Sequence, residues 1–157
     1  MRERLLIVCN GPGFLSELTA VDLFQYDLCA VNRAGLELPQ FEYWASLHAE
    51  DLDRWIRESG KTGFTPIIDY PFCRLPDAYI PRINIGLTGS SSLFAVVAGI
   101  CLGYRKILII GAPLTDENYL PYRRGWESME TILRGRQIQS TSGWTKAFLE
   151  KSCKPID

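Results

Sequence analysis

Short, unbroken apolar runs that end at glycine-containing loops restrict the fold of this chain more than any other feature. The clearest are residues 5–9 and 106–111, and between them Leu52, Trp55 and Ile56 follow helical spacing. Such a run is typical of a strand whose two faces are both covered, as in a parallel sheet between helices. The sequence therefore predicts an α/β fold with a mostly parallel sheet.

Weaker signals complete this prediction. Further strands are predicted at residues 28–31, 43–47, 66–68 and 82–85. Helices are predicted from residue 49 to a stop at Gly60 and over residues 93–102. Residues 69–81 hold three prolines and are predicted as a surface loop, and residues 112–157 are expected to add short helices at most. Because no repeat or linker interrupts the chain, we expect a single domain over residues 1–157.

Composition narrows the classes of function. Lys and Arg number 17 against 18 Asp and Glu in 157 residues, so overall charge predicts neither a nucleic-acid nor a membrane surface. The five cysteines form no CxxC pair, and we expect no metal site and a reducing, cytoplasmic location. A homo-oligomer is compatible with the sequence. The local cluster of Arg123, Arg124, Arg134 and Arg136 is either a solvated helix face or an anion-facing surface.

The first candidate binding loop follows the first predicted strand. It reads Asn10, Gly11, Pro12 and Gly13, and a polar helical segment comes directly after it. Glycines let backbone N–H groups approach an anion, and a helix start adds the positive end of its dipole. The alternative is a tight turn without a ligand.

The second candidate loop opens the apolar helix with Thr88, Gly89, Ser90, Ser91 and Ser92. A single serine would satisfy the helix N-cap, whereas three in succession could surround a phosphate or carboxylate. Because parallel strands bring their carboxyl ends to one edge, we expect the two loops to meet there. The sequence therefore predicts a small-molecule, phosphate-bearing ligand at that edge.

Two residues end the second predicted strand at the same edge. Asn32 is a candidate for hydrogen bonds to a sugar or base, and Arg33 for a pair with an anion. A turn asparagine and a solvated arginine are equally good interpretations.

Candidates for catalysis are few. His48 is the only histidine, between a predicted strand end and an acidic helix start. It is either a structural residue or a general base, and a small hydrolase would combine it with Asp69 or Asp116. Neither carboxylate has a ligand-spaced partner, so no metal is predicted.

An aromatic and basic cluster follows the last strong strand. Tyr119, Tyr122, Arg123, Arg124 and Trp126 either fold over a ligand or pack against the sheet edge. Further on, residues 142–144 predict a capped short helix with a buried aromatic residue.

Four motifs together resemble a known family. They are Val8-Cys9-Asn10-Gly11-Pro12, Ala30-Val31-Asn32-Arg33, Thr88-Gly89-Ser90-Ser91 and the segment at residues 102–111. Their order is similar to that in bacterial sialyltransferases of family 42 and in a related domain family that includes Maf-type flagellin-modifying proteins and archaeal pterin diphosphokinases. Small phage-encoded proteins of unknown function look closer still. The resemblance implies a Rossmann-like three-layer sandwich and covers about the first 110 residues.

In the sialyltransferases these motifs hold a cytidine monophosphate sugar. The resemblance implies donor contacts for Asn10, Gly11, Asn32, Ser90 and Ser91. It also makes the tyrosines of the aromatic cluster candidates for assisting the leaving phosphate.

The chain departs from that family in several places. It has no histidine after His48, Ala112 and Pro113 replace a common Asp, and Gly13 stands where Ser is usual. The resulting hypothesis is a phage- or prophage-type domain that binds a nucleotide or nucleotide-sugar (CMP-type), with glycosyltransferase-like transfer as its reaction. The alternative is a non-catalytic binding or assembly module that keeps the fold.

Overall fold

A computed structural model describes residues 3–85 and 90–157 of the chain. The described residues contain one sheet of six parallel strands, and the apolar runs at residues 5–9 and 106–111 form two neighbouring strands within it. The strands are β1 (Arg4–Val8), β2 (Asp27–Val31), β3 (Tyr43–Ala45), β4 (Thr65–Ile67), β5 (Lys106–Ile110) and β6 (Gln137–Ser140). Their order is β4-β3-β2-β1-β5-β6, and every pair is parallel.

Helices cover both faces of this sheet. They are α1 (Phe14–Thr19), α2 (Ala34–Glu37), α3 (Ala49–Ser59), α4 (Ser91–Cys101), α5 (Leu120–Ser128), α6 (Glu130–Leu133) and α7 (Gly143–Ser152). Short 3-10 turns lie at Leu23–Gln25 and Glu117–Tyr119. The architecture is the predicted α/β, Rossmann-like three-layer sandwich.

Alternation along β1 divides the core into two halves. Leu5 and Ile7 join a cluster with α4, α5, α6 and α7, whereas Leu6 and Val8 join a cluster with α1, α2 and α3. All four side chains are at most 1% exposed. Because successive strand side chains point to opposite faces, an unbroken apolar run is required where both faces are covered.

The path of the chain creates a crevice beside β1. From β1 the strands run outward through β2 and β3 to β4, and α4 then carries the chain back to β5 on the other side of β1. Helix α4 lies close to the sheet because Gly99 faces Leu5. Such a reversal of strand order opens a crevice at the carboxyl ends of the two central strands, where α/β proteins bind ligands.

Two predictions about the strands are wrong. Residues 82–85 form no strand, because Tyr79 already occupies the free edge of β4: its N–H donates to Pro66 O (2.8 Å) and its carbonyl accepts from Ile68 N (3.1 Å). Residues 112–157 contain more than short helices, since β6 lies there along with the nine-residue α5 and the ten-residue α7.

Within residues 3–85 and 90–157, no helix combines the length and apolarity needed to cross a membrane.

Candidate functional site

The crevice between β1 and β5 is a cleft of about 610 Å³ at the carboxyl edge of the sheet. Most of the predicted site residues line it: Asn10, Gly11, Pro12, Asn32, His48, Asp69, Ser90, Ser91, Tyr119 and Tyr122. Gly13 and Arg33 do not, and Thr88 and Gly89 lie outside the described residues. The structure therefore brings together residues from six separate parts of the chain.

The floor of the cleft is a close crossing of two backbones. Gly11 N–H donates to Gly111 O (2.8 Å), and Cys9 N–H donates to Ile110 O (2.9 Å). A Cβ on Gly11 would collide with the Gly111 carbonyl, and one on Gly111 with the Cys9 carbonyl. The glycine of the first motif is thus required by contact between the loops after β1 and β5, independently of any ligand.

Gly13 and Arg33 serve the fold. Gly13 is the N-cap of α1 in the left-handed region (φ 80°), and its carbonyl accepts from Glu17 N (3.1 Å). Arg33 is the exposed N-cap of α2. Each lies one residue beyond the last cleft-lining residue of its loop, Pro12 and Asn32 respectively.

Asn32 is held rigidly at the cleft wall. It is in the left-handed region (φ 52°), and its main-chain carbonyl accepts from the Trp44 indole N–H (2.6 Å). Its side-chain Oδ1 accepts from the Ser46 hydroxyl (2.8 Å), whose oxygen in turn accepts from His48 N (3.0 Å). These bonds use the side-chain oxygen of Asn32 and leave its NH₂ group as the donor for a ligand.

The three serines at the start of α4 have different roles. Ser90 is the N-cap, and its Oγ accepts from Leu93 N (3.2 Å) and from the Trp126 indole N–H (3.2 Å). With both lone pairs engaged, its proton goes to Ser92 Oγ, 2.7 Å away. Ser90 is therefore a structural residue, although it lines the cleft.

Ser91 is the serine that remains available. Its Oγ accepts a long hydrogen bond from Leu47 N (3.4 Å) and keeps its proton for another acceptor. The first N–H groups of α4, at Ser91 and Ser92, have no acceptor within the helix and lie at the positive end of its dipole. This combination suits an anionic oxygen.

The aromatic and basic cluster separates into two functions. Arg123 binds the loop after β5, donating from Nε to Leu114 O (2.6 Å), and its guanidinium lies over the Trp144 ring at 5.8 Å. Tyr119 and Tyr122 instead line the cleft with exposed phenols, their rings 6.0 Å apart. The packing interpretation therefore holds for Arg123, whereas Tyr119 and Tyr122 lie at the cleft.

The loop after β5, which forms another part of the cleft wall, is also held in place by contacts within the protein. Thr145 Oγ1 donates to Ala112 O (2.6 Å), and Leu114 takes a left-handed φ of 48°. Trp144 packs as predicted, stacking on Phe148 with ring centroids 5.0 Å apart, but it is half-buried rather than buried, and the Ser142 side chain forms no cap hydrogen bond.

Basic residues are missing from the described lining. Arg124 is exposed away from the cleft, and Arg134 pairs with Glu130 at 3.0 Å. Asp116 caps a 3-10 turn by accepting from Asn118 N (2.8 Å). Among the described lining residues, an anion would therefore meet N–H groups and hydroxyls and no full positive charge other than a protonated His48.

The thiol at the base of the cleft is inert. Burial, reinforced by the nearby Glu17 carboxylate, raises the pKa of Cys9 to about 12. A thiol with such a pKa is neutral at physiological pH and is a poor nucleophile.

No metal centre is evident in the part of the chain that the structure describes, where no three His, Cys, Asp or Glu side chains are placed to hold an ion.

Glu17 stabilises loops at the cleft, a role that the sequence did not indicate. Its Oε2 accepts from Gly111 N (2.8 Å) and from Thr141 Oγ1 (2.7 Å). Partial burial opposes its ionisation, but the nearby Ser142 hydroxyl and the hydrogen bonds from Gly111 and Thr141 outweigh burial and hold the pKa of Glu17 below its ordinary value of 4.5. The carboxylate therefore joins α1 to the loops after β5 and β6.

We expect Glu17→Gln to reduce the free energy of unfolding by about 1 kcal/mol at pH 7, because it removes a charge that accepts hydrogen bonds in a half-buried place. A depressed pKa stabilises the fold above pH 4.5 and loses that effect as the pH falls through the folded-state pKa. Urea unfolding should therefore show a smaller difference from wild type at pH 3 than at pH 7. An equal difference at both values would contradict this role, and the exposed Glu127→Gln is the control.

Comparison with known proteins finds no family model, no curated protein and no solved structure that matches this chain.

Proposed function

We propose that this chain binds a nucleotide or nucleotide-sugar in the cleft, with the ligand's phosphate at the start of α4. The observation that carries the proposal is the position of Ser91. Its hydroxyl and the first N–H groups of α4 lie in the same cleft as the loop Asn10–Pro12 and Asn32, at the reversal point of strand order. Phosphate binding at a helix start and ligand binding at such a crevice are both recurrent in α/β proteins.

The charge of the cleft favours a ligand with few negative charges. Its described lining has no lysine or arginine, and Asp69 adds a carboxylate. A triphosphate is normally neutralised by Lys, Arg or a metal ion, whereas a single phosphate group is satisfied by N–H and O–H donors. A monophosphate or a monophosphate-linked sugar therefore fits this cleft better.

Glycosyltransferase-like transfer is the reaction that the family resemblance favours, and phage-type proteins are the setting that it suggests. Transfer of this kind depends mainly on positioning the donor and stabilising the departing phosphate. Ser91 and the N–H groups of α4 supply that stabilisation, and the exposed phenols of Tyr119 and Tyr122 supply further donors across the cleft.

One observation favours a second candidate, a non-catalytic binding module. The His48 imidazole forms no hydrogen bond to any carboxylate among the described residues. A general base is usually oriented by such a partner. Nucleotide turnover that is lost in His48→Ala would exclude the non-catalytic module, and absence of turnover with every donor would support it.

The binding proposal is tested by a thermal-shift panel of CMP, UMP, GMP, AMP, their diphosphates, and CMP- and UDP-sugars. A ligand at about one hundred times its dissociation constant adds about 2.7 kcal/mol, which raises the unfolding midpoint by about 5 °C or more. We expect a monophosphate or its sugar to give the largest rise.

Ser91→Glu should abolish that rise and leave the fold intact. A glutamate in the first turn of α4 interacts favourably with the helix dipole, but its carboxylate occupies and repels the anion position. Ser16→Glu, on the exposed face of α1, is the matched control and should respond like wild type. An unchanged ligand response in folded Ser91→Glu would rule out phosphate binding at this helix.

A further inference from the structure

A second concavity lies at the opposite, amino-terminal edge of the sheet. It has a volume of about 510 Å³ and lies between the end of α4 and the starts of β5 and β6. Its lining includes the half-buried Ile100, the almost fully buried Ile107 and Ile138, and the exposed Arg105, Arg136 and Lys154. We call it the basic pocket.

Strand register places the three cations in a row. Lys106 pairs with Gln137 in the β5–β6 ladder. Arg105 and Arg136 directly precede these two residues, so their backbones lie side by side at the usual strand spacing of about 4.8 Å. Lys154 extends the row on the other side of β6. Its N–H donates to Arg136 O (2.8 Å), and it forms a parallel β-bridge with Gln137.

These cations lack acidic partners in the described part of the chain. None of the three forms an ion pair there, although Lys106 beside them binds Asp157 at 2.7 Å. Arg136 donates from Nε to Ile132 O (2.8 Å), which fixes the stem of its side chain and leaves its terminal nitrogens as donors. Like charges on adjacent strands are unfavourable for folding, so stability does not explain the row.

We propose that the basic pocket binds a small organic anion, with its phosphate or carboxylate held by Arg105, Arg136 and Lys154 and its apolar body against Ile100. Positive charges around a concave, low-dielectric surface concentrate the electrostatic potential that attracts such a ligand. Arginines offer it paired donors, and the contact with Ile100 selects against a fully hydrated inorganic ion. This site is independent of the cleft, which lies at the other edge of the sheet.

The test is calorimetric titration of 1-naphthyl phosphate and of inorganic phosphate at low ionic strength. The key variant is R105Q/R136Q/K154Q, and R82Q/R124Q/K151Q removes the same charge from exposed positions outside the pocket. Ser91→Glu is included because the proposed nucleotide site is also expected to accept phosphate esters. Since the substituted arginines and lysines are exposed, both triple variants should fold, and circular dichroism verifies the fold of every variant.

We expect 1-naphthyl phosphate to bind wild type, Ser91→Glu and R82Q/R124Q/K151Q with similar affinity, and to bind R105Q/R136Q/K154Q about tenfold or more weakly. Inorganic phosphate should bind more weakly than the aryl ester. Undiminished binding by R105Q/R136Q/K154Q, or no binding by wild type, would overturn the proposal. Binding that is lost only in Ser91→Glu would also overturn it, and would assign the ligand to the cleft.

Discussion

Gly111→Ala is expected to lower the free energy of unfolding by at least about 3 kcal/mol, a large part of a typical domain's stability. Gly111 has a φ of 69°, where an alanine is strained, and a Cβ there would overlap the carbonyl of Cys9. Relieving that overlap moves apart the loops after β1 and β5, which breaks the bond from Gly11 N to Gly111 O. Urea denaturation measures the loss.

Gly60→Ala separates the two causes. Gly60 has a similar φ of 64°, but a Cβ there meets nothing within 4 Å. Its expected cost is about 1 kcal/mol, from backbone strain alone. Equal losses in the two variants would show that the crossing at the cleft floor relaxes easily and that Gly111 is only a turn glycine.

Trp126→Ala is expected to cost about 3–5 kcal/mol, as is usual for the loss of a large buried aromatic side chain. The indole is 0% exposed and contacts Phe148 at a centroid distance of 6.4 Å. Its N–H also donates to Ser90 Oγ, so the substitution loosens the start of α4 as well as the core. Thermal or urea unfolding measures the loss, and Trp126→Phe should recover most of the packing.

Trp144→Ala is the control for this prediction. Trp144 is half-buried and stacks on the same Phe148, so its removal should cost about 1 kcal/mol. A loss for Trp126→Ala no larger than that would contradict the view that the Trp126 indole anchors the start of α4.

The fold was predictable because a parallel sheet leaves a strong local signal. Each strand buried on both faces must be apolar throughout, as Leu5 to Val8 are, and each ends at the same edge. The edge strand β6 escaped prediction because its sequence, Gln137-Ile138-Gln139-Ser140, contains a single apolar residue. An edge strand has only one neighbour, and local composition says little about it.

The site was predictable in its position and less so in the role of each residue. Strand ends placed Asn10, Gly11 and Asn32 at one cleft, and the start of α4 added Ser91. Roles set by distant partners left no local signal: Ser90 is engaged by Trp126, which is 36 residues away, and Glu17 binds Gly111, 94 residues away. Such pairings depend on the folded geometry and not on motif spacing.

The most direct measurement of the central claim is the change in backbone amide resonances when the strongest binder of the nucleotide panel is added to ¹⁵N-labelled protein. Phosphate at the start of α4 predicts the largest shifts at Ser91 and Ser92, with further shifts at Gly11 and Asn32. Shifts confined to the amino-terminal edge around Gln137, or no shifts with any nucleotide, would contradict the assignment of the cleft as a nucleotide site.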